Sequence, residues 1–197
     1  MPSILDACCG GKMFWFDKDD PRVLFQDLRC TDMTLCDGRK FSVKPDVVAD
    51  FTSMPYPDNS FRMVVFDPPH LKYTGSKKEA QNWQMKKYGW LPAHGWQDIL
   101  RKGFAECFRV LMPGGFLIFK WNETNIRVSE ILKLTPPIKP LFGHISGKRA
   151  NTHWICFMKE DIEIVFTPFP EIDPDLAEKP LSKEQIEELV SKYATDK

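Results

Sequence analysis

The sequence lacks the features of a metal-binding or membrane-spanning chain. Zinc sites take close Cys or His pairs, about two to four residues apart, whereas the most suggestive pair here, Cys30 and Cys36, is separated by five residues. We therefore predict no metal site and reduced thiols. No apolar run is long enough to cross a bilayer, and no signal peptide precedes the first one. We expect a cytoplasmic protein without a membrane partner.

The chain also lacks net charge, but its charges are unevenly distributed. Residues 159–197 contain 11 acidic and 5 basic side chains, which leaves 22 basic and 16 acidic side chains in the rest of the chain. A mildly basic body is compatible with a polyanionic partner such as nucleic acid. A solvated acidic terminus accounts for the same asymmetry.

Repeats and low-complexity tracts are absent too, and the remaining pattern predicts one α/β domain over residues 1–160. Most of its apolar runs are continuous, as in strands buried on both faces of a parallel sheet. The runs are SILDACC (3–9), RVLFQD (22–27), DVVAD (46–50), MVVFDPP (63–69), GFLIFKW (115–121) and HWICFMK (153–159). Helical spacing between them, over residues 96–111 and 122–134, favours an alternating α/β sheet. Residues 161–197 are predicted to form an acidic arm with one helix, over 180–193.

Acidic residues end four consecutive predicted strands. Asp6 opens a loop of small residues, Ala7-Cys8-Cys9-Gly10, and Asp27, Asp50 and Asp67 end the next three strands. Ligands of open α/β sheets bind at the carboxyl ends of the strands. Asp27 lies at about the offset from the glycine loop at which an acidic residue reaches a ribose. Each Asp alone suits a turn or a helix cap, but together they predict a binding site.

These motifs resemble the class I S-adenosylmethionine-dependent methyltransferases, in particular their amino-methylating branch. ILDACCGGK is similar to that branch's first motif, Asp-Pro-Phe-x-Gly-x-Gly, with Lys12 in place of the second Gly. DFTSMPYPDNSFRMVVFDPP and FRVLMPGGFLIFK resemble two further motifs. The resemblance implies a Rossmann-like sheet of seven mostly parallel strands, antiparallel in the last hairpin and flanked by helices. It implies S-adenosyl-L-methionine as cofactor, bound by Asp6, Ala7, Cys8, Cys9, Gly10, Asp27, Asp50, Phe51 and Asp67.

Asp67-Pro68-Pro69-His70 resembles the Asp/Asn-Pro-Pro-aromatic motif of enzymes that methylate a planar amino group. Such a nitrogen is a poor nucleophile because its lone pair is delocalised. The Asp67 carboxylate and the Pro68 carbonyl, held by proline, are expected to accept its two N–H bonds and stabilise the developing positive charge. His70 stands where an aromatic residue is usual and is expected to stack on the acceptor. The tetrapeptide alone also suits a rigid end of a strand.

The segment after this motif combines positive charge with flat rings. Residues 71–97 contain five Lys and one Glu among several Tyr and Trp residues. Charge for a phosphate backbone and rings for unstacked bases are typical of single-strand or flipped-base binding. The predicted substrate-binding residues are Lys72, Tyr73, Lys77, Lys78, Trp83, Lys86, Lys87, Tyr88 and Trp90. A polar lid whose rings pack on the body is the alternative.

Three functions fit this sequence. The first is methylation of an exocyclic amino group of a nucleic-acid base, adenine N6 before cytosine N4. Because no separate recognition domain is visible, selectivity would be low or supplied by a partner subunit or a second copy. The second is methylation of a glutamine amide in a protein or of a small molecule. The third is a non-catalytic binding subunit, suggested by Lys12 and His70. A cysteine nucleophile is disfavoured, since Cys8 and Cys9 suit packing in the cofactor loop.

Overall fold

A computed structural model describes residues 2–35, 38–75, 83–146 and 151–160. The six predicted runs each contain a strand of the central sheet: β1 (Ile4–Asp6), β2 (Val23–Asp27), β5 (Val47–Val48), β6 (Phe61–Phe66), β9 (Leu111–Asn122) and β11 (Thr152–Met158). With β10 (Phe142–Ser146) they form a seven-stranded sheet in the order β10-β11-β9-β6-β1-β2-β5. β11 is antiparallel to both neighbours and the remaining pairs are parallel. This confirms the predicted sheet.

The longest helix among the described residues packs on one face of this sheet. Helix α2 (Trp96–Val110) follows the short helix α1 (Trp83–Tyr88) and crosses from β6 to β9. Its predicted apolar stripe is confirmed: Leu100, Phe104 and Cys107 are fully buried. They pack with alternate residues of β9, including Phe119 and Trp121. The helix ends at Val110, and the Pro-Gly-Gly turn lies within the irregular start of β9.

A coil segment covers the other face near β1 and β2. Residues 7–22 contain turns and bends but no helix, unlike the strand–helix alternation that the sequence predicts. Two rings do the packing instead. The Trp15 ring meets Phe25 edge-on at 5.4 Å between centroids, and the Phe14 ring meets Trp154 edge-on at the same distance. These two aromatic contacts pack the coil segment against the sheet.

Two short strand pairs and one shortened helix differ from the sequence prediction. β3 (Thr31–Thr34) pairs antiparallel with β4 (Lys40–Val43), and β7 (Lys72–Tyr73) pairs parallel with β8 (Leu91–Pro92). The predicted helix over 122–134 is wrong in its first half, because β9 continues to Asn122, which pairs with Thr152, and residues 123–126 form turns and bends. Only α3 (Val128–Ile131) and a 3-10 turn (Leu132–Leu134) are helical.

The acidic arm and its predicted helix over 180–193 lie outside the described residues, so the domain division at residue 160 stays a prediction. Among the described residues, no helix has both the length and the apolar character needed to span a membrane.

Candidate active site

The carboxyl ends of β1, β2 and β6 open into one large cleft of about 860 Å³. Several predicted site residues line it together: Ala7, Cys8, Cys9, Gly10, Asp27, Asp50, Phe51, Asp67, Pro68, Pro69, His70, Lys87, Tyr88 and Trp90. Parallel strands point their carboxyl ends the same way, which brings residues distant in sequence to one edge. The predicted cofactor loop and the Asp-Pro-Pro motif therefore share one cleft.

Two residues of the loop after β1 have a left-handed backbone conformation. Gly10 has φ +49°, and Lys12, in place of the second glycine, has φ +52°. This left-handed conformation costs a non-glycine residue about 1 kcal/mol or more. Two contacts offset the cost: the Lys12 ammonium donates to the Lys18 carbonyl at 2.8 Å and lies 3.9 Å from the centre of the Phe25 ring. Lys12 thus adopts a backbone conformation that glycine adopts at lower cost.

Asp6 is fully buried and does not line the cleft. Its carboxylate accepts hydrogen bonds from the Trp15 indole nitrogen at 2.7 Å and from the Cys8 amide at 3.2 Å. Burial raises the pKa of Asp6 to about 7, although both hydrogen bonds oppose the rise. Asp6 therefore stabilises the conformation of the loop through these hydrogen bonds and does not face the cleft. Trp15, its partner, carries no motif signal, and the sequence analysis missed it.

Asp27 is tied to the loop and to α1. One carboxylate oxygen accepts from the Gly10 amide at 2.9 Å, and the other accepts from the Arg29 amide and Nε. Arg29 also donates to the carbonyls of Lys86 and Lys87 at 3.2 and 3.3 Å. Arg29 thus links the end of β2 to the segment that carries the predicted substrate residues. The sequence analysis missed Arg29, because an Arg after a strand gives no distinctive pattern.

Asp50 and Phe51 form the rim beyond β5. Asp50 is exposed, and its carboxylate accepts from the amide and hydroxyl of Thr52 at 2.8 and 2.9 Å. The Phe51 ring meets Phe66 at 5.3 Å between centroids. It also lies against Gly103 of α2, where an added Cβ would come within 2.7 Å of the ring. The absence of a side chain at Gly103 gives Phe51 its position.

The two loop cysteines are protonated thiols. Burial raises the pKa of the Cys8 and Cys9 thiols well above the usual range, and the neighbouring carboxylates add to the rise. Because the thiolate is the nucleophilic form, neither residue is suited to attack a base. The geometry agrees with their interpretation as packing residues.

Asp67 follows β6 and forms an ion pair that the sequence analysis did not predict. Its Oδ2 accepts from the Lys120 ammonium at 2.5 Å, and both side chains are only about one-fifth to one-quarter exposed. Burial raises the pKa of Asp67, while the charge and hydrogen bond of Lys120 oppose that rise. Lys120 lines the cleft from β9. The sequence analysis missed Lys120 because a lysine near the end of an apolar run is typical of the end of a strand.

His70 lies among rings as a neutral imidazole. Its ring centre is 6.0 Å from that of Tyr88 and 6.3 Å from that of Trp121, which it meets edge-on. Burial, with a smaller contribution from the nearby Lys120 charge, lowers the pKa of His70 to about 4. The ring is therefore uncharged near neutral pH and offers a flat surface for stacking.

The segment after the motif is only partly in the cleft. Lys87, Tyr88 and Trp90 line it, whereas Lys72, Tyr73, Trp83 and Lys86 do not. The Tyr73 ring packs on Trp90 at 5.0 Å, so this half of the segment fits the packed-lid alternative. Lys77 and Lys78 lie outside the described residues.

Lys87 is more buried than the other described lysines of this segment, with 9% of its surface exposed. Its ammonium lies 5.6 Å from the centre of the Phe41 ring and 5.0 Å from that of Tyr88. Within the described residues, no carboxylate forms an ion pair with it. Most of the Lys87 side chain is therefore buried, and the residue lines the cleft.

Comparisons with known proteins extend the fold assignment. No family model matches the chain, and a search of curated proteins finds no significant match. Among solved structures, a protein from Pyrococcus horikoshii matches with a TM-score of 0.51 at 13% identity, over 80% of this chain and 81% of that one. A SAM-dependent methyltransferase from Methanosarcina mazei matches with a TM-score of 0.50 at 11% identity, over 80% of this chain and 92% of that one. Together with the strand order, these likenesses show that the chain has the fold of class I SAM-dependent methyltransferases.

Proposed function

We propose that this chain is an S-adenosylmethionine-dependent N-methyltransferase that acts on an exocyclic amino group of a nucleic-acid base. Adenine N6 is the first candidate and cytosine N4 the second. One observation carries the proposal: the Asp67 and Pro68 acceptors and the glycine loop of β1 line the same cleft. That cleft lies where sheets of this fold hold their ligands.

The cofactor half of the cleft fits S-adenosylmethionine. A Cβ built on Gly10 would have no atom within 4 Å, so the space beside the loop is open. Asp27 and Asp50 supply carboxylates at the ends of neighbouring strands, and Phe51 supplies a ring face on the rim. These groups suit ribose hydroxyls and an adenine. When bound, the cofactor supplies an electrophilic methyl group on a sulfonium.

The acceptor half suits an amino group with two N–H bonds. Asp67 Oδ1 is the oxygen that Lys120 does not use, and no described residue donates to the Pro68 carbonyl. Together these oxygens provide two acceptors, and the two prolines restrain the backbone that carries the Pro68 carbonyl. Accepting both N–H bonds turns the nitrogen lone pair toward the methyl group, and the carboxylate stabilises positive charge as it develops on nitrogen. The proton is then released to water.

A nucleic-acid base is favoured over an amide by the surroundings of this pair. The neutral His70 ring and the Tyr88 ring offer flat surfaces, and base stacking on such rings contributes about 1–3 kcal/mol. Lys87, which lines the same cleft, adds a cation for a phosphate. A glutamine side chain has neither an aromatic ring to stack nor an anion to pair with Lys87.

The proposal is tested with methyl-labelled cofactor offered single-stranded DNA, single-stranded RNA, duplex DNA and a glutamine-containing peptide. We expect transfer to single-stranded nucleic acid, and a fall of roughly 100-fold or more in kcat for Asp67→Ala, as for removal of a preorganised transition-state group. Cofactor binding, measured by calorimetry, should remain in this variant. Transfer to the peptide alone would favour a protein amide as acceptor. Absence of cofactor binding by folded wild-type protein would favour a non-catalytic subunit.

The Lys87→Met variant provides a second arm of the test. Because one phosphate contact is lost, binding to single-stranded nucleic acid should weaken and its dependence on log salt should become shallower by about 0.7. Affinity for the cofactor should not change. An unchanged salt slope would assign Lys87 another partner.

A further inference from the structure

Lys120 is held in one place by three groups from three parts of the chain. Its ammonium reaches Asp67 Oδ2 at 2.5 Å. It also lies 5.6 Å from the centre of the Phe14 ring and 5.7 Å from that of Trp154. Both distances are within the range of about 6 Å for a cation–π contact. A lysine on a flexible stem would otherwise sample many positions.

The sheet itself sets this arrangement. Phe66 of β6 is in register with Phe119 of β9, so the next residue on each strand brings Asp67 beside Lys120. Across β9, Lys120 pairs with Trp154 of β11. Phe14 closes the third side and itself packs edge-on against Trp154. Strand register therefore brings two of the three groups, Asp67 and Trp154, beside Lys120.

We propose that Lys120 is the positioning residue of Asp67, holding one carboxylate oxygen so that the other is left to accept the N–H of the substrate. The inference rests on the proposed function, because it assigns Lys120 a part in that reaction. An unheld carboxylate rotates about its last torsion and presents its oxygens in many directions. Fixing one oxygen fixes the plane, and misplacement of a reacting group by about 1 Å can cost 100-fold in rate.

The charge of Lys120 has a second consequence for Asp67. Burial favours the protonated carboxyl group, which is a poor acceptor for an amino N–H. A cation within hydrogen-bond distance favours the ionised form instead. Loss of Lys120 should therefore raise the pKa of Asp67, and the acid limb of the pH–rate profile should move to higher pH. Loss of packing alone would not move that limb.

The test compares Lys120→Met with Lys120→Arg and with a control, Lys102→Met, whose side chain is exposed on α2. We expect kcat of Lys120→Met to fall by a factor of roughly 10 to 100, with its acid limb at higher pH. Lys120→Arg keeps the charge. It should restore part of kcat and should return the acid limb of the pH–rate profile most of the way to its wild-type pH. Lys102→Met should match wild type. Circular dichroism and thermal melting confirm that each variant is folded.

A second readout needs no substrate. The carboxyl carbon of Asp67, titrated by NMR in isotope-labelled protein, should show a higher pKa in Lys120→Met than in wild type. If Lys120→Met does not fold, Lys120→Gln takes its place in both measurements.

Two results separate this inference from the proposed function. If the wild type is active and Lys120→Met has the same kcat and the same acid limb of its pH–rate profile, the role of Lys120 is overturned and the proposed function stands. An Asp67 pKa that does not change in Lys120→Met also overturns the role of Lys120. A wild type that binds cofactor but methylates no nucleic acid overturns the proposed function and, with it, this role in the reaction.

Discussion

Buried Asp6 should make folding stability depend on pH in a specific way. Its pKa rises from an ordinary value of 3.8 to about 7 in the folded protein. Between these values the folded protein binds a proton that the unfolded chain has lost, so stability falls as pH rises. At about 1.4 kcal/mol per pH unit, the loss between about pH 4 and about pH 8 amounts to about 4 kcal/mol.

Asp6→Asn isolates this contribution because it removes the ionisation and keeps the size. Asn has one acceptor oxygen, whereas Asp6 accepts from both Trp15 and Cys8, so the variant loses about 1–3 kcal/mol at low pH. The difference in unfolding free energy between variant and wild type should then shift in favour of the variant as pH rises. We expect the shift to be about 4 kcal/mol across the same range.

Urea unfolding at pH intervals of about one unit measures this difference, with the surface variant Asp19→Asn as the control. The Asp6→Asn and wild-type curves should converge or cross as the pH rises, and the control should run parallel to wild type. Parallel curves for Asp6→Asn would refute the argument that burial dominates the hydrogen bonds at this carboxylate.

Three further substitutions test other parts of the structure. Gly103→Ala places a Cβ 2.7 Å from the Phe51 ring and should destabilise the fold by about 1–3 kcal/mol. The variant should also bind the cofactor more weakly in calorimetry, and an unchanged affinity would remove Phe51 from the cofactor site. Gly115→Ala places a Cβ 2.8 Å from the Arg62 and Met112 carbonyl oxygens and should lower the melting temperature without acting through the cleft, so the folded fraction should bind cofactor normally. His70→Phe should retain the wild-type pH–rate profile above about pH 5, because the pKa of His70 is already lowered to about 4; an inflection near pH 6.5 that disappears in the variant would contradict a neutral ring.

The sheet was predictable from sequence because its inner strands are continuous apolar runs. β6 contains the run MVVF and β2 contains the run VLF, and each run is bounded by charged or polar residues. β3 and β4 were missed because half of the residues of TDMT and of KFSV are exposed, so neither strand contains such a run. The edge strand β10 was missed for a similar reason, since four of its five residues are exposed.

The candidate site was predictable where local motifs specify it, as at Gly10 and at Asp67-Pro68-Pro69. Contacts between distant strands were not. Lys120 reaches Asp67 through the register of β6 with β9, and Arg29 reaches the carbonyls of α1 nearly sixty residues away. Such pairs depend on strand order and register, which a single sequence states only indirectly.

The most direct test of the account is the chemical identity of the methylated product. Single-stranded oligonucleotides are incubated with the protein and methyl-labelled S-adenosylmethionine, digested to nucleosides and analysed by mass spectrometry. We predict label on the exocyclic nitrogen of adenine or cytosine, and its loss with Asp67→Ala. Label on a ring carbon or ring nitrogen, or undiminished labelling by Asp67→Ala, would contradict the proposed roles of Asp67 and Pro68.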